Sequence, residues 1–207
     1  MTAPGRSPEE SPFQGKGAAH AALKRGLDLF LALTGLIMAL PAMIVIAVLI
    51  RASGPGPVVL GLSCAGRNGK VFRQLRFRIV HADAAKRLRP PVKPGRDPRL
   101  TGIGAFLVSS GLNRLPQILN VLKGDMSFVG PRPIPVARLD RGSPVTRLIL
   151  TVRPGILTPE SLHPDQGPQA ETDRQALALA YAAHPGLPTD ARIVARSLVR
   201  LLRPRSS

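Results

Sequence analysis

The chain has 207 residues, with 29 lysines and arginines against 12 acids, a formal charge of +17 at pH 7. A single cysteine, Cys64, excludes an intrachain disulfide and a cysteine-rich zinc site. Aromatic residues make up 3%, with one Tyr and no Trp, too few rings for a surface that stacks nucleic-acid bases.

Residues 1–22 open Pro-, Gly- and Ser-rich without periodicity and are expected to form a disordered tail. An uncharged apolar run follows from Leu29 to Ile50, long enough as a helix to cross a bilayer core of about 30 Å. A helix apolar on every face suits the core of a small soluble domain poorly. The polar leader with Glu9 and Glu10, and the missing cleavage signature, argue against a signal peptide. Pro41 falls near the middle of the run, where it removes a backbone hydrogen bond. Lys24 and Arg25 precede the run, and Arg51, Arg67, Lys70 and Arg73 follow it. Because cytoplasmic flanks favour Lys and Arg, residues 23–51 are expected to enter the membrane, break at Pro41 and return. A proline-kinked span is the alternative.

Residues 52–207 are expected to form one domain. Val58–Leu60 and Val71–Phe72 read as strands around the turn Gly66-Arg67-Asn68-Gly69-Lys70. The basic, proline-broken stretch 86–99 reads as a loop. Gly111 to Lys123 carries apolar residues at helical spacing, with Pro116 in its first turn and Gly124 at its end. Thr189-Asp190 can cap a helix to about Leu202, with Ala191, Val194, Ala195, Leu198, Leu201 and Leu202 on one face. Arg192, Arg196 and Arg200 recur on another face, as in a helix lying in a membrane interface; packing on the domain is the alternative. Between residues 84 and 157 the only acids are Asp97, Asp125 and Asp140, so this stretch favours an anionic leaflet or a phosphorylated ligand.

Taken together, several motifs carry a resemblance. They are Lys24-Arg25-x-x-Asp28, the proline-broken apolar segment, Gly54-Pro55-Gly56-Pro57-Val58, Arg76-Phe77-Arg78 and Asp97-Pro98-Arg99. Leu115-Pro116-Gln117, Lys123-Gly124-Asp125-Met126-Ser127, Val129-Gly130-Pro131-Arg132-Pro133 and Arg153-Pro154-Gly155-Ile156 complete the series. In this order the chain resembles the bacterial sugar transferases, the monotopic phosphoglycosyl transferases that begin surface-glycan assembly. The resemblance implies an α/β fold: a re-entrant membrane helix, then a compact mixed α/β cytoplasmic domain with amphipathic interfacial helices at the inner membrane. It also implies transfer of a sugar 1-phosphate from a nucleotide diphosphate sugar to polyprenyl phosphate, with Mg²⁺. Arg76, Arg78, Pro131 and Arg132 then correspond to the substrate phosphate site, and Lys24, Arg25, Asp28 and Pro41 to the membrane anchor.

The family's chemistry rests on an adjacent Asp-Glu pair, one acid attacking phosphorus and forming an acyl phosphate while a metal offsets charge. Here the corresponding run is Leu112-Asn113-Arg114-Leu115-Pro116-Gln117. Asn113 is neutral, and Arg114 reverses the charge where a metal ligand belongs. Gly61-Leu62-Ser63-Cys64 and Val108 also replace positions that are more polar or basic in the family. His20, His81, His163 and Cys64 show no metal or triad spacing, and Asp97 and Asp125 suit turns. The expectation is a membrane-associated protein of surface polysaccharide assembly with little or no transferase activity. Such a protein is expected to bind nucleotide sugar, polyprenyl phosphate or an active paralogue, and not nucleic acid. A transferase with a rerouted mechanism remains the alternative.

Overall fold

A computed structural model describes residues 14–81, 99–159 and 170–202. The first helix, α1 (Gln14–Ala52), runs for 39 residues, starting ahead of the expected boundary at residue 23. Ala18, Ala19, Ala21 and Ala22 are strong helix formers and carry it through much of the segment expected as tail. Residues 1–13 lie outside the described residues.

Pro41 does not break α1. The helix continues through it, with the proline exposed on the outer face. Losing one backbone hydrogen bond leaves the turns on either side intact, so Pro41 is an interior residue and not a terminus. Asp28, Ala32, Ile46 and Ile50 are buried, and Leu36, Ala39 and Met43 between them pack against the same core. Their spacing of three and four residues forms one stripe, so α1 lies on the domain for most of its apolar length. The other faces stay apolar and exposed, with Phe30, Ile37, Met38, Ile44 and Val48 among them. Ala21–Ala52 is long and apolar enough to cross a membrane, with mean hydropathy 2.7 in its most apolar stretch.

β1 (Val59–Ala65) and β2 (Val71–Phe77) form an antiparallel hairpin, each longer than expected. Its turn needs left-handed backbone at Asn68 (φ 57°) and Gly69 (φ 75°), which Asn and Gly adopt most readily. β4 (Ile134–Pro135) joins the other edge of β1, giving the order β2-β1-β4. β3 (Ser127–Val129) and β5 (Gly155–Leu157) form a separate parallel pair.

The helices α2 (Gly102–Ser110), α3 (Gln117–Lys123), α4 (Pro144–Ile149), α5 (Ala170–Ala183) and α6 (Leu187–Leu202) complete the domain. The single helix expected over 111–123 is divided into a 3-10 turn at Leu112–Arg114 and then α3. Gly111 (φ 77°) caps α2 and starts that turn, while Gly124 (φ 91°) ends α3 as expected. Cys64, Phe72, Ile118, Val121 and Met126 meet Ala32 of α1 in one core; Phe77 and Leu107 meet Ile46 and Ile50 in another.

α6 begins two residues earlier than expected and turns a different face inward. Asp190 and Ile193 are buried, whereas Ala191, Val194 and Ala195 of the anticipated apolar stripe are exposed.

Candidate functional site

The candidate site lies where β2, the 3-10 turn at 112–114 and the start of α3 meet. Asn120 fixes this junction. Its side chain accepts from Leu75 N at 2.9 Å and donates from Nδ2 to Arg73 O at 2.8 Å. Asn120 thereby satisfies backbone groups on the free edge of β2 and holds α3 in register with that strand. No spacing in the sequence marks it for this task.

Asn113 is buried in the turn, 8% exposed, and Arg114 beside it is exposed. Arg76 reaches in from β2, its Nη2 donating to Gln74 Oε1 at 2.7 Å. Gln74 Oε1 also accepts from Cys64 Sγ at 3.7 Å. Burial pushes the Cys64 thiol upward, only partly opposed by Arg76, so this cysteine stays protonated and has a packing role.

Arg132 follows the fully buried Pro131, whose carbonyl accepts from Gly155 N at 2.9 Å. Pro131 is thus a fixed support for its neighbour. Desolvation, then Arg114 and Arg132, lower the basicity of Arg76; desolvation, then Arg132, lower that of Arg114. Three guanidinium groups from three parts of the chain therefore share one field. Among the described residues Arg114's guanidinium has neither a carboxylate partner nor a hydrogen-bond acceptor.

Arg78 is not part of this group. It is 4% exposed, and its terminal nitrogens donate to the carbonyls of Ile50 (2.9 Å), Gly54 (2.8 Å) and Pro55. Those carbonyls stand at and just past the end of α1, which lacks further helical donors there. Arg78, expected at the substrate phosphate site, caps the end of α1 in this structure. A cavity of about 200 Å³ beside it is lined by Ser53, Gly54, Pro55, Arg78, His81 and Thr101, apart from the arginine group.

Three of the residues expected as the membrane anchor, Lys24, Arg25 and Asp28, bond to the domain. Lys24 pairs with Asp190 and donates to Val129 O at 3.3 Å. Arg25 donates to Val121 O at 2.8 Å and Leu122 O at 3.2 Å, while Arg153 donates to Gly124 O at 3.0 Å. Both guanidinium groups thus cap the C-terminal carbonyls of α3, where the helix dipole favours cations. Asp28 Oδ1 accepts from Ser127 Oγ and Phe128 N, each at 3.0 Å. Lys24, Arg25 and Asp28 fasten α1 to the domain.

The residues present do not suit Mg²⁺. A hard cation needs several oxygen ligands, and among the described residues no three His, Cys, Asp or Glu side chains converge. Asn113 offers one neutral amide oxygen, and Arg114 contributes a positive charge next to it. Asp97 and Asp165 lie outside the described residues.

Comparison with known proteins agrees with this arrangement of motifs. The profile of the bacterial sugar transferase family matches residues 19–204, and the chain belongs to that family. A Bacillus subtilis protein named as a putative undecaprenyl-phosphate N-acetylgalactosaminyl 1-phosphate transferase is 42% identical over 118 residues. That match covers 57% of this chain and 65% of the relative. The exopolysaccharide production protein PSS of Rhizobium leguminosarum is 34% identical over 167 residues, covering 78% of this chain and 82% of the relative. The undecaprenyl-phosphate galactose phosphotransferase of Salmonella typhimurium is 36% identical over 148 residues, 65% of this chain and 31% of that protein. The chain thus spans less than two thirds of the Bacillus and Salmonella relatives. The family is membrane-associated, and its relatives include proteins of exopolysaccharide production.

Proposed function

We propose that this chain is a membrane-bound, non-transferring relative in surface polysaccharide assembly. It binds the phosphates of a nucleotide sugar or polyprenyl phosphate through Arg76, Arg114 and Arg132 without cleaving them. The observation that carries this reading is the pair Asn113 and Arg114, a buried amide and a cation where the family's chemistry uses two acids. An amide has no charge to direct at phosphorus and no acyl phosphate to form. Arg114 holds phosphate oxygens but cannot act as an acid ligand or base.

Bound phosphates without turnover suit a protein that presents or retains substrate for an active paralogue. The domain faces the cytoplasm, and α1 does not carry it across the bilayer. Asp28 and Ile50 would lie about 33 Å apart along a straight helix, more than a bilayer core, yet one domain holds both. A helix that lies along one leaflet, its buried stripe on the domain and its exposed apolar faces in lipid, meets this condition. The exposed stripe of α6 rests in the same interface, with Arg192 and Arg196 toward lipid phosphates.

Purified full-length protein, with Mg²⁺, a panel of nucleotide diphosphate sugars and undecaprenyl phosphate, tests this function. No release of nucleoside monophosphate is expected. Release at a steady rate overturns the reading and makes the protein a transferase with a rerouted mechanism.

A further inference from the structure

The family resemblance calls for a divalent cation, and the described residues supply fixed positive charge instead. Arg114 stands on the turn that packs against β2, where Arg76 lies, and Arg132 extends from the loop after β3. Two donors at this junction have no acceptor: Arg76 Nε, and Nε2 of Gln117, a side chain only 1% exposed. Gln117 opens α3, one turn along the chain from Arg114. Buried donors are rarely left unsatisfied, and both orphan groups here offer hydrogen. What these two donors lack is therefore an acceptor, and the like charges of Arg76 and Arg114 beside them favour an anionic one.

We propose that Arg76, Arg114 and Arg132 form a metal-independent receptor for a diphosphate group, with the Arg114 guanidinium neutralising charge where relatives would use a cation. The choice of a diphosphate rests on the function proposed above; the arginines and orphan donors by themselves call for an anion rich in oxygen. Guanidinium suits that task because its forked N–H groups match phosphate oxygens and it stays charged even when partly desolvated. The mutual repulsion that helps lower the basicity of Arg76 and Arg114 is relieved when such an anion enters. The diphosphate can come from a soluble nucleotide or from a polyprenyl diphosphate, and the same three side chains serve either.

Calorimetric titration of the full chain in nanodiscs separates these sources and tests the metal. The probes are UDP, inorganic pyrophosphate and undecaprenyl diphosphate, each with EDTA and with Mg²⁺. At least one probe is expected to bind in EDTA within about threefold of its affinity in Mg²⁺. Arg114→Glu is expected to weaken binding in EDTA about thirtyfold or more, and Arg114→Gln to weaken it less. Arg114→Gln carries the test if the charge reversal prevents folding. Binding that requires Mg²⁺, equal binding by both variants, or binding of no probe overturns the inference. Nucleoside monophosphate release in the assay above would overturn the silent function and leave metal-free binding standing. Loss of metal-free binding would overturn this receptor without making the protein a catalyst.

Discussion

Lys24 and Asp190 form an ion pair across 166 positions of sequence, joining the start of the apolar helix to α6. Asp190 also accepts from Tyr181 Oη at 2.6 Å, and Tyr181 in turn reaches Val129 O at 3.2 Å. One carboxylate thus ties α1, α5, α6 and β3 together. Its side chain and that of Lys24 are 12% and 20% exposed, so removing either partner leaves a mostly buried charge without its counterpart. Lys24→Met and Asp190→Asn are each expected to destabilise the fold by about 2–3 kcal/mol, below the loss for a fully buried pair. Chemical denaturation of the single variants and the double variant in detergent checks this. The double variant is expected to lose less than the sum, and strict additivity would show that the pair is not coupled.

Gly130 and Gly155 meet where the Val-Gly-Pro-Arg-Pro and Arg-Pro-Gly-Ile motifs cross. A Cβ on Gly155 would fall 2.1 Å from Gly130 N, and one on Gly130 would fall 2.4 Å from Arg153 O. Both obstacles are backbone and cannot rotate aside. Either Gly→Ala change is expected to cost about 3 kcal/mol or more, and the support beneath Arg132 with it. Melting temperature reads the loss. A variant as stable as the native chain would mean that this crossing is looser than described.

The Tyr181 hydroxyl is pushed above the ordinary tyrosine range by burial first, then by its bond to Asp190 and the charges of Asp190 and Asp28. The folded chain keeps this proton where the unfolded chain releases it, above about pH 10. Its contribution to stability is therefore complete below that pH and declines as the pH rises further. Comparing native protein with Tyr181→Phe from pH 8 to 11 isolates the effect. The native chain should lose stability more steeply at the alkaline end, and parallel curves would contradict this placement of Tyr181.

Labelling tests the course of α1. With Cys64 replaced by Ala, His20→Cys and Ser53→Cys are each expected to react with a membrane-impermeant maleimide from the cytoplasmic face. Labelling of the two positions from opposite faces would make α1 a span.

Local chemistry made much of this fold legible. Asn68 and Gly69 announce the hairpin turn because few residues accept positive φ, and Gly124 ends α3 for the same reason. The charge change at Asn113-Arg114 was legible because it interrupts a recognisable run. Long-range partners were not. Nothing adjacent to Asp28 points to Ser127, and nothing beside Asn120 points to the edge of β2. Arg78 illustrates the limit: a guanidinium donates equally well to phosphate or carbonyl oxygen, and only the nearby end of α1 decides. In α6, periodicity located the apolar stripe, but the buried positions belong to Asp190 and Ile193, whose partners lie on α1 and β3.

A single phosphorus-31 NMR measurement separates metal-free diphosphate binding from turnover. The full chain is incubated with EDTA, a UDP-sugar and undecaprenyl phosphate, and the diphosphate resonances are followed; a parallel sample contains Mg²⁺. Diphosphate signals are expected to shift or broaden in both samples, less so with Arg114→Glu, with no phosphomonoester signal from a nucleoside monophosphate. Unperturbed diphosphate signals in EDTA, or a growing nucleoside monophosphate signal in either sample, would contradict it.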